Sequence, residues 1–221
     1  MPSNLPRRVH VVFLTFAAVF ICYIDRVNIS VAIIPMAEEY NWGLQTQGMI
    51  LSSFAVGYIL LQVIGGRLAD RYGGKIILGI GVLVWSLFTI LAPPAAALGI
   101  TLLIMTRILM GMGEAVTFPS VYSLVTRWFP VHEKAKAVAL NASGIPIGTV
   151  FALVVTPIIV TELGWEWAFY LFGLVGVVWY IAWHWLVTDK PQEHPRINAT
   201  ELEYIAANAP AAGAIATPPM G

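Results

Sequence analysis

Four charged residues stand inside long apolar runs. Asp25 and Arg26 lie within the first run, in Cys22-Tyr23-Ile24-Asp25-Arg26-Val27-Asn28, and Arg107 and Glu114 within the fourth, in Arg107-Ile108-Leu109-Met110-Gly111-Met112-Gly113-Glu114. Each such charge costs about 2.5 to 3.5 kcal/mol at the centre of a membrane helix on insertion scales. Chains keep such groups where they face a protein interior or a watery cavity, and there they mark a path for ions or a charged substrate. Desolvation penalises a carboxylate's charged form and so lets it take a proton, while an adjacent arginine opposes this. Arginine's planar fork also matches an incoming carboxylate in two hydrogen bonds. An anion pairing with Arg26 would weaken its hold on Asp25 and ease protonation there, which couples two loads in one cycle.

Helical spacing groups these residues further. Positions seven apart differ by about 20° around a helix, so Arg107, Gly111 and Glu114 share a face. Phe54, Tyr58 and Gln62, four apart, form a second stripe that is aromatic at one end and polar at the other. A purely structural reading stays open at each place: Asp25 and Arg26 neutralising each other, Arg107 and Glu114 as an ion pair between helices, Tyr58 and Gln62 as simple interhelical hydrogen-bonders.

The elements that must hold these groups are membrane spans. Of 221 residues 58% are hydrophobic and 11% charged, in long blocks rather than in alternation, against about 25% charged in soluble domains. Six segments approach the ~20 residues needed to cross about 30 Å of hydrocarbon: 11–34, 49–69, 76–92, 98–117 (with a continuation past Pro119 to 125), 137–160 and 168–187. The expected links include residues 35–47 and Ala92-Pro93-Pro94. Lys and Arg favour cytoplasmic loops. Arg7, Arg8, Arg67, Arg71, Lys75, Arg127, Lys134, Lys136, Lys190 and Arg196 fall on one side, and Glu38, Glu39, Glu162 and Glu166 on the other. Both ends of the chain are therefore expected in the cytoplasm of a cell-membrane protein. Residues 1–10 form a short N-terminus, 11–187 the six-helix bundle, and 188–221 the start of a linker that stops without reaching another element, as in a truncated chain. Trp165, Trp167 and Trp185 read as interfacial anchors.

Several function classes lose support. Gly73-Gly74-Lys75 lacks the first glycine and the Ser or Thr of a phosphate loop. His132-Glu133 has no second histidine at metal spacing, and no Gly-x-Ser-x-Gly elbow occurs. Net charge is zero with no basic cluster, which disfavours nucleic acid as a partner. The lone Cys22 excludes an internal disulfide and suggests no metal site. The chain reads as no enzyme, with no cofactor.

Gly66-Arg67-Leu68-Ala69-Asp70-Arg71-Tyr72-Gly73-Gly74-Lys75 is more specific. Between spans two and three the chain turns tightly, glycines permit the turn, and Asp70 is placed to cap a helix end and pair with arginine. This stretch resembles the loop signature of the major facilitator superfamily, with Gly74 where a basic residue is usual. Tyr23 to Asn28 with Pro35-Met36, Arg107 to Glu114 with Phe118-Pro119, and Asp189 to Ile197 are similar to spans one and four and the central loop of its anion:cation symporter branch. The resemblance implies an all-α membrane protein, six transmembrane helices forming the N-terminal half-bundle, with inverted 3+3 repeats and a C-terminal six-helix half as partner. It further implies proton-coupled symport of a small organic anion such as a sugar acid, by alternating access. Arg26 would bind the substrate, with Tyr23, Tyr58 and Gln62 lining the cavity. Asp25 and Glu114 would carry protons, Arg107 would be the charge partner of Glu114, and Gly66, Asp70, Arg71, Gly73 and Lys75 the conformational loop. Alternatives are a sodium-coupled or uncoupled anion or phosphate carrier, and a transporter-derived fragment without flux of its own.

Overall fold

The computed structural model describes residues 5–208. Residues 1–4 of the expected N-terminus and 209–221 of the expected linker lie outside the described residues. Eight α-helices follow in order: α1 (Arg7–Tyr40), α2 (Leu44–Tyr72), α3 (Gly74–Leu98), α4 (Ile100–Ala115), α5 (Thr117–Trp128), α6 (Val131–Leu163), α7 (Trp165–Leu186) and α8 (Ala199–Ala207). α4 and α5 together make one span, so among the described residues six helical spans are long and apolar enough to cross a membrane. A helix satisfies its backbone polar groups internally, which hydrocarbon demands.

The spans outrun their expected ends at the prolines. α1 passes through Pro35 and ends only at Asn41, whose φ of 55° is a left-handed cap. Met36 is fully buried, and the Trp165 indole donates to Glu39 at 2.7 Å. Packing thus holds the extra turn although Pro35 cannot donate its own helix bond. Trp165 is accordingly a core residue, 4% exposed, rather than an interfacial anchor; Trp167 and Trp185 are exposed. α3 likewise runs through Pro93 and Pro94 to Gly99, whose φ of 135° makes the turn. The break in span four falls at Val116, where Pro119 has no N–H to offer the Ala115 carbonyl.

Packing relates the first three spans to the last three. α1 packs on α6 as α4 packs on α2, α3 packs on α4 as α7 packs on α1, and α3 meets α7. Exchanging spans one, two and three for four, five and six maps this set onto itself. A unit of three spans ends on the opposite face from its start, so its repeat is necessarily inverted, the 3+3 arrangement of transporter halves. The closest approaches need glycine: a Cβ on Gly57 would collide with the Ile108 carbonyl, and one on Gly111 with the Phe54 carbonyl. These two glycines let α2 and α4 nearly touch, which brings Phe54 and Tyr58 against the charged face of α4.

Candidate functional site

The Arg26 side chain crosses from α1 to α4. Its Nε and one terminal nitrogen donate to Glu114 Oε2 at 3.0 and 2.8 Å. The Cys22 thiol donates to the same oxygen at 3.2 Å. The guanidinium carbon lies 4.8 Å from the centre of the Tyr23 ring, 4.9 Å from Phe54 and 4.8 Å from Tyr58. Three aromatic faces thus surround one cation at attractive distance. Glu114 is completely buried, whereas the Arg26 side chain keeps 24% exposure, so the arginine is the member of the pair that an incoming group reaches.

The same region holds buried polar atoms without hydrogen-bond partners among the described residues: Oε1 of Glu114, both oxygens of Asp25, the Asn28 amide, Nε of Arg107 and the Trp85 indole nitrogen. Buried polar groups are normally hydrogen-bonded, so this concentration sets the region apart from the rest of the core. Asp25 is 1% exposed and makes no contact with Arg26 of the kind a neutralising pair requires. Adjacent helical side chains point about 100° apart, and here Arg26 faces Glu114 instead.

Arg107 is 2% exposed. It sits on the Glu114 face of α4, as the seven-residue spacing implies, but no hydrogen bond or ion pair joins the two among the described residues. Arg107 donates to the Met110 sulfur at 2.9 Å and lies 5.3 Å from the Phe54 ring. Tyr23 and Tyr58 belong to the aromatic collar. Gln62 is exposed and makes no side-chain hydrogen bond among the described residues, so it stands outside the cluster. Cys22, Phe54, Asn28 and Trp85 join the site without having been assigned to it. Cys22 lies four residues before Arg26 and Asn28 three after Asp25, so helical spacing alone was the available signal.

The expected conformational loop is mostly helix. Gly66, Asp70 and Arg71 belong to α2, and the turn is Gly73 alone, at φ 92°. Asp70 is exposed and neither caps a helix nor pairs with arginine among the described residues. It stands at the C-terminal turn of α2, where the free backbone groups are carbonyls and a carboxylate has nothing to accept from. The capping carboxylate is Asp189, in the segment after α7: it accepts from the Lys75 backbone N–H at 3.2 Å and pairs with Arg127. A side chain on Gly73 would strike this carboxylate. Lys75 itself donates to the His184 carbonyl at 3.3 Å. Further along, His194 lies between the Leu186 carbonyl and the Arg196 N–H, and burial pushes its imidazole below the ordinary value.

Comparison with known proteins agrees with this architecture. Residues 15–219 match the family model of the Major Facilitator Superfamily. The chloroplastic ascorbate transporter of Arabidopsis thaliana is 41% identical over 203 residues, covering 92% of this chain and 38% of the relative. Sodium-dependent phosphate transport protein 1, chloroplastic, of the same plant is 42% identical, covering 93% and 40%. Human sialin is 37% identical, covering 92% and 47%. The chain therefore spans less than half the length of these relatives. Among solved structures, a bacterial homologue of the human lysosomal transporter Spinster superposes with a TM-score of 0.76 at 21% identity, over 87% of this chain and 47% of that one. The E. coli xylose transporter XylE gives 0.74 at 15%, over 84% and 49%. The relatives are transporters, not enzymes, and they are consistent with the anion:cation symporter branch. The chain belongs to the major facilitator superfamily and folds as the N-terminal half of its transporters.

Proposed function

We propose that this chain supplies the N-terminal half of a secondary active carrier that moves a small organic anion together with protons by alternating access. The observation that carries the reading is the Arg26–Glu114 pair, one partner sealed and the other half-open within an aromatic collar. An entering carboxylate takes Arg26 in two hydrogen bonds. Glu114 then loses its partner, and leaving one member of a buried pair alone costs about 3–5 kcal/mol. A proton on Glu114 removes that cost, so the anion and the proton favour each other's binding. Asp25, also buried and without a hydrogen-bond partner among the described residues, is a second proton site; Arg107, on the same face of α4, is the charge partner of Glu114 without a direct contact. The conformational loop, with Gly73 as its pivot, sits where spans two and three meet the membrane face. Both chain ends lie on the cytoplasmic side of the cell membrane in this reading, as the one-sided basic residues suggest.

The test is transport by the complete protein in proteoliposomes, with ascorbate, hexuronates and inorganic phosphate as the first anions offered. Glu114→Gln and Asp25→Asn should each abolish proton-driven accumulation while sparing anion exchange. Undiminished accumulation by either variant would remove that residue from its role. A second reading, sodium-coupled phosphate transport, is favoured by the likeness to the sodium-dependent plant protein. Replacing sodium by choline in the uptake buffer separates the two: the proton reading predicts no change.

A further inference from the structure

We propose that the membrane face at the start of α1 holds an anionic phospholipid, its headgroup phosphate bound by Arg7 and Arg196 and an acyl chain lying along α1. A cavity of about 550 Å³ opens there, lined by residues that include Arg7, Arg8, Arg196, Glu201 and Tyr204. α8 is tied over it by Glu201, whose two oxygens accept from the backbone N–H groups of Arg7 and Arg8 at 2.8 and 3.0 Å. The acidic groups are already engaged. Glu201 caps α1, and Glu133 takes Arg8 at 3.1 Å and the Tyr204 hydroxyl at 2.9 Å. Among the described residues, neither Arg7 nor Arg196 is in an ion pair. The Arg7 Nε reaches only the Arg196 carbonyl, at 3.3 Å, and the exposed Arg196 side chain makes no hydrogen bond. Two guanidinium groups thus line one cavity without an ion-pair partner among the described residues, and the carboxylate that also lines it, Glu201, is held by two backbone N–H groups.

A second, apolar cavity of about 210 Å³ adjoins the first through Leu5 and is lined by Val9, His10, Phe13, Leu14 and Leu186. Leu5, Phe13 and Leu186 are exposed on the outer surface. A basic recess that shares Leu5 with an apolar groove along α1 matches a phosphate diester that carries acyl chains; a free anion would leave the groove unused. Basic pockets at the cytoplasmic ends of membrane helices take such headgroups, and this is the face where every basic residue outside the spans gathers.

The test is lipid binding to the complete protein in detergent, read by native mass spectrometry and by thermal shift, with phosphatidylglycerol, phosphatidylcholine and inorganic phosphate as probes. Phosphatidylglycerol should bind and stabilise, while the other two should not. With about 1 kcal/mol for each arginine near the surface, Arg7→Gln/Arg196→Gln should bind phosphatidylglycerol about 30-fold more weakly. The capping bonds to Glu201 use backbone N–H groups and survive both changes. Should the double variant fold poorly, the single Arg196→Gln should still lose about 5-fold. Wild-type affinity in the variants, or equal binding of phosphatidylcholine, would overturn the site. Saturable binding of inorganic phosphate with the same stabilisation would overturn the lipid in favour of a soluble anion.

Discussion

Inside the membrane, Glu114 gathers three donors on one oxygen, while its other oxygen and both oxygens of Asp25 have none. At the membrane face the carboxylates behave differently. Glu201 spends each oxygen on a backbone N–H of α1, and Asp189 divides its two between Lys75 and Arg127. The face groups keep some exposure, 9% for Glu201 and 17% for Asp189, and have a partner on each oxygen; the buried groups are sealed, with oxygens left open among the described residues. Unsatisfied buried polar atoms are costly, and in the proposed function the open oxygens of Glu114 and Asp25 are the ones that take protons.

The contrast can be broken most severely at the buried pair. Arg26→Ala strands the Glu114 charge and should cost about 3–5 kcal/mol of stability along with all anion transport. Arg26→Ala/Glu114→Leu should recover much of the stability and none of the transport. Thermal unfolding in detergent and uptake assays check the two halves of this statement separately. Next comes the spacing that brings the aromatic collar to the pair. Gly57→Val forces α2 away from α4 and should cost about 1–3 kcal/mol as overpacking, with a matching fall in melting temperature.

At the face the effects should be smaller. Asp189→Ala loses a cap and an ion pair, about 0.5–2 kcal/mol, and the loss should overlap with that of Arg127→Ala in a double-mutant cycle. Asp70→Ala, by contrast, should change the stability of the half-bundle by less than about 0.5 kcal/mol. The last prediction concerns pH. Burial holds the His194 imidazole below its ordinary value, so the unfolded chain takes up its proton first as pH falls. Its contribution is complete above the ordinary histidine value of about 6.5 and declines below it. His194→Asn should flatten the acid side of the stability profile; an unchanged slope would show that other groups set it.

Much of this was legible in the residues because hydrocarbon is an unforgiving solvent. Six apolar runs and their basic flanks announce the spans, and Asp25, Arg26, Arg107 and Glu114 announce themselves as misfits. Partner choice was not legible. Neighbouring in sequence suggested Asp25 with Arg26, and a shared helix face suggested Arg107 with Glu114, yet the observed pair is Arg26 with Glu114. That pairing joins α1 to α4 across the bundle, so it is fixed by the arrangement of the helices and not by spacing along either one. The prolines misled in the opposite direction. Pro35, Pro93 and Pro94 look like loop residues, but membrane helices absorb them where packing holds the next turn. Asp70 was read as a cap because of its place in a motif, whereas the cap comes from Asp189, more than a hundred residues away in sequence.

The proposal that an anion at Arg26 drives a proton onto Glu114 is tested most directly by proton flux itself. Proteoliposomes carrying the complete protein and a luminal pH dye, given a transported anion without sodium or a membrane potential, should acidify inside as the anion enters. Glu114→Gln vesicles should exchange labelled anion yet show no pH change. Anion uptake by the wild type with no luminal acidification would contradict the coupling and leave Arg26–Glu114 as a binding pair alone.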